Sequence, residues 1–184
     1  ILIDHKLPLV GMQAKQNSGF FIGPAYYYLI VPFYAFFNLD PIAAGVIAGV
    51  TSIVTFFTIF YITKKLFSLP VAIIAIFLYT FSFEVIFADR YQWPINLIPT
   101  TSFIIFYALY NSILGKVRHL LLLGLALGFS FSLNFTSIFF PIIVLFAIPL
   151  FPKTRESIKY GLIALLLFTV WFIPNIIAEV GSHA

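Results

Sequence analysis

From residue 42 to residue 178 the chain runs as apolar stretches of about bilayer length, parted by short breaks that hold most of its charge. A helix needs roughly 20 apolar residues to cross a hydrocarbon core. Such stretches cover 42–63, 70–88, 95–114, 119–135, 137–151 and 158–179. The run from 119 to 151 is too long for one crossing. Asn134, Thr136 and Ser137 break it, with Pro141 just beyond, so it reads as two helices in a tight hairpin. The predicted fold is all-α: a polytopic transmembrane bundle of six crossings over 41–184. Residues 1–40 form the end of an outer loop.

Composition agrees. Hydrophobic residues make up 62% of the chain and charged ones 9%, against about 25% charged in an ordinary soluble domain. A soluble enzyme and a disordered chain are both excluded on these grounds. The chain has no cysteine, which excludes a disulfide framework, thiolate metal sites and a cysteine nucleophile. No phosphate-cradling glycine loop, metalloprotease motif, serine elbow or nucleic-acid-binding stretch occurs.

Charge placement gives the orientation. With six crossings, Lys64, Lys65, Lys116, Arg118, Lys153, Arg155 and Lys159 fall on one side, which the positive-inside rule makes cytoplasmic. Asp4, Asp40, Glu84, Asp89 and Glu179 fall toward the other. The functional face is therefore expected to be periplasmic, extracellular or lumenal.

The segment 19–38 is rich in Phe and Tyr and carries Pro24 and Pro32. Tyr favours the membrane–water boundary, where its ring is apolar and its hydroxyl wet. A helix lying in the outer interface is expected rather than a seventh crossing. Two pairs of glycines four apart, Gly45 with Gly49 and Gly124 with Gly128, are expected to let helices approach closely.

Charges at membrane depth are costly and usually functional. Glu84 is the candidate, as a carboxylate lining an outward cavity; the alternative is a snorkelling acid paired with Arg90. The loop Asp89-Arg90-Tyr-Gln-Trp93-Pro-Ile-Asn96 follows it. Arg90 can grip a phosphate through two parallel hydrogen bonds. Trp93 either stacks on a sugar or, as the more ordinary role, anchors the interface. Lys6 and Lys15 lie in the polar stretch 4–19 and are candidates for an anionic head group, or belong to a solvated loop. Glu179 and His183 are four apart, but without a second histidine they do not make a metal site.

The segments Leu7-Pro8-Leu-Val-Gly11 and Gly23-Pro24-Ala-Tyr26-Tyr27-Tyr28-Leu, with Arg90-Tyr-Gln-Trp93-Pro-Ile-Asn96 and Pro174-Asn-Ile-Ile-Ala-Glu179, resemble the GT-C superfamily of polytopic glycosyltransferases. The similar members are dolichyl-phosphate-mannose–protein mannosyltransferases and their bacterial relatives. The resemblance covers most of the chain; its Gly-Pro-x-Tyr-Tyr-Tyr segment is moderately specific and the other two are weak alone. It implies a sugar donor on a polyprenyl phosphate, transfer at the outer face of a prokaryotic plasma membrane, and an acceptor hydroxyl on a lipid, glycan or protein. Some relatives use a divalent metal ion. The family's acidic base lies upstream of Leu-Pro-Leu, and Asp4 sits too close to stand in for it. Both ends of the chain are therefore read as cuts, with the base before Ile1 and the isolated piece inactive. Lys6, Lys15, Tyr27, Glu84, Asp89, Arg90, Trp93, Asn96 and Glu179 are then the expected substrate-binding residues. A transporter or lipid flippase is the alternative of a different class, and a non-catalytic membrane scaffold a third.

Overall fold

The computed structural model describes residues 1–2, 7–13 and 21–182, with side chains described to residue 180. Among these every regular element is a helix, and strand pairing is limited to one bridge between Gln13 and Phe21. The all-α class stands. The helices are α1 (Ala25–Phe36), α2 (Ile42–Leu66), α3 (Leu69–Thr80), α4 (Phe83–Ala88), α5 (Ile98–Ile113), α6 (His119–Leu133), α7 (Phe139–Ala147), α8 (Arg155–Val170) and α9 (Ile173–Ser182). Short 3-10 turns at Pro94–Leu97, Phe135–Ile138 and Ile148–Leu150 join some of them.

Apart from α2, the helices are shorter than the apolar stretches. Among the described residues only α2 is by itself long and apolar enough to cross a membrane. Helices α8 and α9 make a second such length if their 48° bend falls within one span. The stretch 70–88 divides where Ser82 turns extended (φ −70, ψ 125), leaving α3 and α4 apart. The stretch 95–114 opens on a 3-10 turn before Pro99 enters the first turn of α5. Proline lacks an N–H, so it fits a helix start and breaks a helix interior. After α6 the chain turns at Asn134, whose carboxamide oxygen accepts from the Thr136 N–H and hydroxyl, both at 2.9 Å. That local turn competes with the helix for the same backbone.

The two ends of the bundle differ chemically. At one end the Lys65 ammonium lies over the Tyr107 ring, 5.0 Å from its centre, and Tyr107 meets His119 edge-on. Here α5 closes on Gly115, whose φ of +88 suits glycine. The Gly115 N–H donates to the Ser112 carbonyl and the Lys116 N–H to the Asn111 carbonyl, a helix stop that satisfies two orphan carbonyls. Pro152 Cγ stands 4.0 Å from where a Cβ on Gly115 would be. The basic residues of three separate breaks thus gather together. At the other end Phe131 packs on Phe172, and Tyr34 donates to the Gln92 carboxamide oxygen at 2.7 Å.

Burial follows an unusual pattern. Among the described residues twelve buried side chains are Ser, Thr or Asn, beside twenty apolar ones of which eight are Ala, while Phe36, Phe67, Phe83 and Phe146 are each at least 72% exposed. Many large apolar groups thus point outward, while small and hydroxyl groups share the interior with Ile and Leu, unlike the usual water-soluble bundle. Between helices the hydroxyls join up. Thr55 of α2 meets Thr100 of α5 at 2.6 Å, Thr101 donates to Ser130 of α6 at 3.1 Å, and Ser130 donates to Ser137 at 2.9 Å. Each such bond contributes about 0.6 kcal/mol in a membrane bundle.

Of the two glycine pairs, only one packs. A methyl on Gly124 would strike the Ala164 backbone, and one on Gly128 the Trp171 ring and Phe168 carbonyl, so α6 and α8 touch backbone to backbone. Gly45 and Gly49 have nothing within 4 Å of where a Cβ would stand. The expected close approach at that pair is not seen. The spacing signals that a helix can be approached, and a partner has to be present for contact.

Candidate functional site

Three segments far apart in sequence meet at the aromatic end. Residues 11–13 pair with 21–22: the Gly11 N–H donates to the Ile22 carbonyl at 2.8 Å and the Ile22 N–H to the Met12 carbonyl at 3.0 Å. A Cβ on Gly11 would strike the Gly23 carbonyl, so this contact requires glycine. The Tyr28 hydroxyl donates to the Pro8 carbonyl at 2.7 Å. Asn175 of α9 donates through its carboxamide to the Phe21 and Ile22 carbonyls at 2.9 and 3.2 Å.

The loop 89–96 closes over this platform. Asn96 is buried at 7% exposure. Its carboxamide nitrogen donates to the Ala88 carbonyl at 2.9 Å and the Tyr91 carbonyl at 2.7 Å. Asn96 therefore shapes the loop, and its donors are spent on backbone rather than offered to a substrate. Asn96→Asp removes both donors and sets a carboxylate against two carbonyls. The expected loss is about 1–3 kcal/mol, read as a lower melting temperature with earlier proteolytic nicking at 89–93; unchanged values would contradict the role.

Between loop and platform lies a cavity of about 610 Å³. Its polar edges come from Tyr26, Tyr27, Tyr91, Gln92 and Trp93, and its apolar walls from Met12, Ile30, Phe87 and Pro94. Among the described residues no charged side chain lines it. Aromatic faces with hydroxyl, indole and carboxamide edges suit a neutral ring that has one apolar face and several hydroxyls. Burial pushes the Tyr26 hydroxyl pKa above its ordinary value of 10.0; the Gln92 side chain, hydrogen-bonded to it, pulls it partly back, and nearby Tyr34 raises it. At neutral pH Tyr26 is a phenol that can donate.

The expected site residues scatter around this cavity. Tyr27 and Trp93 line it. Asp89 is half-buried and Arg90 exposed, both in the turn that leads into the loop, and neither lines the cavity. Glu84 is exposed in the first turn of α4. The sequence puts it one turn inside the outer end of a long helix, either lining an outward cavity or as a snorkelling acid paired with Arg90; it is not among the described lining residues of this cavity. The break at Ser82 instead puts it at a helix start, where a carboxylate is favoured by the helix dipole. Glu179 is exposed on α9. Lys6, Lys15, Asp4 and His183 lie outside the described residues. Among the described residues no three His, Asp or Glu side chains group to hold a metal ion.

Sequence reasoning passed over Tyr26, Gln92 and Tyr91. Two of these lie inside the loop already singled out, and Tyr26 adjoins Tyr27; their convergence depends on contacts across about sixty residues. A second, enclosed cavity of about 90 Å³ lies beside Gly23 and the α8–α9 bend. Ser132 Oγ, Trp171 Nε1 and Asn175 Oδ1, all buried without a protein partner, belong to its lining. It has room for about three waters.

No protein-family model, curated protein or solved structure matches this chain.

Proposed function

We propose that the protein is an integral-membrane glycosyltransferase with its aromatic cavity at the outer face of a prokaryotic plasma membrane. In this reading the six apolar stretches form six crossings, some of them bent, and α1 lies in the outer interface. The donor is a sugar on a polyprenyl phosphate, and the acceptor is a hydroxyl at the same face.

The observation that carries the reading is the make-up of the 610 Å³ cavity. The segments that resemble GT-C glycosyltransferases build it or brace it, and its lining among the described residues is aromatic, hydrogen-bonding and uncharged. The sugar ring would lie against Trp93 and the tyrosines. The acceptor oxygen attacks the anomeric carbon as the bond to the lipid phosphate breaks. Its proton passes to a carboxylate, which the family resemblance puts upstream of Leu7. The departing phosphate gains negative charge, and the Arg90 guanidinium is the cation closest in sequence to the cavity loop. Against the transporter reading, no charged side chain is buried among the described residues, whereas coupled transport usually needs one at membrane depth.

The test uses the complete protein in vesicles supplied with a radiolabelled polyprenyl-phosphate sugar. Appearance of label in a new glycan, lipid or protein product supports the reading. Movement of unaltered donor lipid between leaflets, with no product, favours the flippase.

A further inference from the structure

We propose that the groove bounded by α6, α7 and α8 holds the acyl chains of an anionic diacyl phospholipid from the leaflet at the basic end of the bundle. The inference rests on the membrane reading and does not depend on glycosyl transfer.

The groove encloses about 660 Å³. Its wall is apolar, with Leu127, Val144 and Leu165 among the lining residues, and Gly161 opens into it with nothing within 4 Å of its Cβ position. From Ser157 to Phe168, both lining residues, it follows α8 for about 16 Å at 1.5 Å per residue. That is about one leaflet of a hydrocarbon core about 30 Å thick.

The polar residues of the groove sit at one end. Lys153 and Ser157 line that mouth, and Arg155 and Lys159 stand exposed beside them on α8. The loop holding Lys116 and Arg118 lies nearby, Pro152 Cγ standing 4.0 Å from where a Cβ on Gly115 would be. Glu156 is the acid in this neighbourhood. An ammonium, a hydroxyl and further cations at the end of an apolar channel match a phosphate head on hydrocarbon tails. The cavity at the aromatic end, by contrast, has no charged side chain among its described lining residues.

Brominated lipids quench tryptophan fluorescence on contact, and they give the test. The protein carries Trp93→Phe and Trp171→Phe, with a single reporter at Leu165→Trp in the groove or Leu78→Trp on the exposed face of α3. Vesicles contain phosphatidylcholine with a minor fraction of either brominated phosphatidylglycerol or equally brominated phosphatidylcholine. We expect the anionic lipid to quench the groove reporter at least twofold more, and Lys153→Ala to remove that preference. Equal quenching by both lipids would overturn the head-group site. Quenching at Leu78→Trp with none at Leu165→Trp would mean that protein, from this chain or a second copy, covers the groove. No quenching at either reporter would instead overturn the membrane reading.

Discussion

Gly124→Leu should prevent the bundle from folding, while Gly49→Leu should leave it intact. The two glycines have the same neighbours in sequence terms, each paired with another four residues away. Their surroundings differ. Any Cβ on Gly124 strikes the Ala164 carbonyl and its backbone, and backbone cannot swing aside as a flexible side chain can. Overpacking a core costs about 1–3 kcal/mol where side chains can give. Here α6 and α8 have to move apart, losing the contacts of Leu123 and Leu127 with them and the fit of Phe129 against Trp171. A leucine on Gly49 meets open space. Melting curves in detergent read the difference. A Gly124→Leu protein that melts with the wild type would mean that the helices do not touch.

Arg90→Ala should lower glycosyl transfer about a hundredfold, the usual effect of removing a donor from a charge that develops in the transition state. Arg90 is exposed, so the change should leave the melting temperature alone, which separates chemistry from folding. Arg90→Lys should recover part of the rate. It keeps the charge but loses the flat fork that holds two phosphate oxygens at once. Near-normal turnover of Arg90→Ala would remove Arg90 from the phosphate role and leave the leaving group without a cation from this loop.

Much of the helical order was legible in the sequence, because apolar runs of bilayer length have few other ways to satisfy their backbone groups. Polar breaks were legible too: Asn134 was expected to end a helix, and it does so through its own side chain. Breaks inside apolar sequence were not. Ser82 stands among Phe, Thr and Glu with no proline beside it, and only the fold shows that the chain turns there and carries Glu84 with it. The 48° bend before α9, by contrast, falls where Pro174 stands in the first turn of α9, a proline that marks a helix end or kink in the sequence. For the cavity, Trp93 and Tyr27 could be named from their motifs. Tyr26 and Gln92 required knowing that α1 and the loop after α4 come together, a contact that the 2.7 Å bond between Tyr34 and Gln92 fixes and that no local pattern encodes. The glycine pairs make the same point: spacing shows which faces are smooth, and tertiary packing decides which one is used.

The functional reading stands on the two ends of the bundle facing opposite sides of a membrane. Because the chain has no cysteine, single cysteines introduced at Asp40, Arg90, Lys65, Lys116 or Lys153 report on one position each. Intact cells are treated with a maleimide that cannot cross membranes. The account predicts labelling of the cysteines at 40 and 90 from outside, and labelling of those at 65, 116 and 153 only after the membrane is opened. Labelling of both groups from the same side would contradict it.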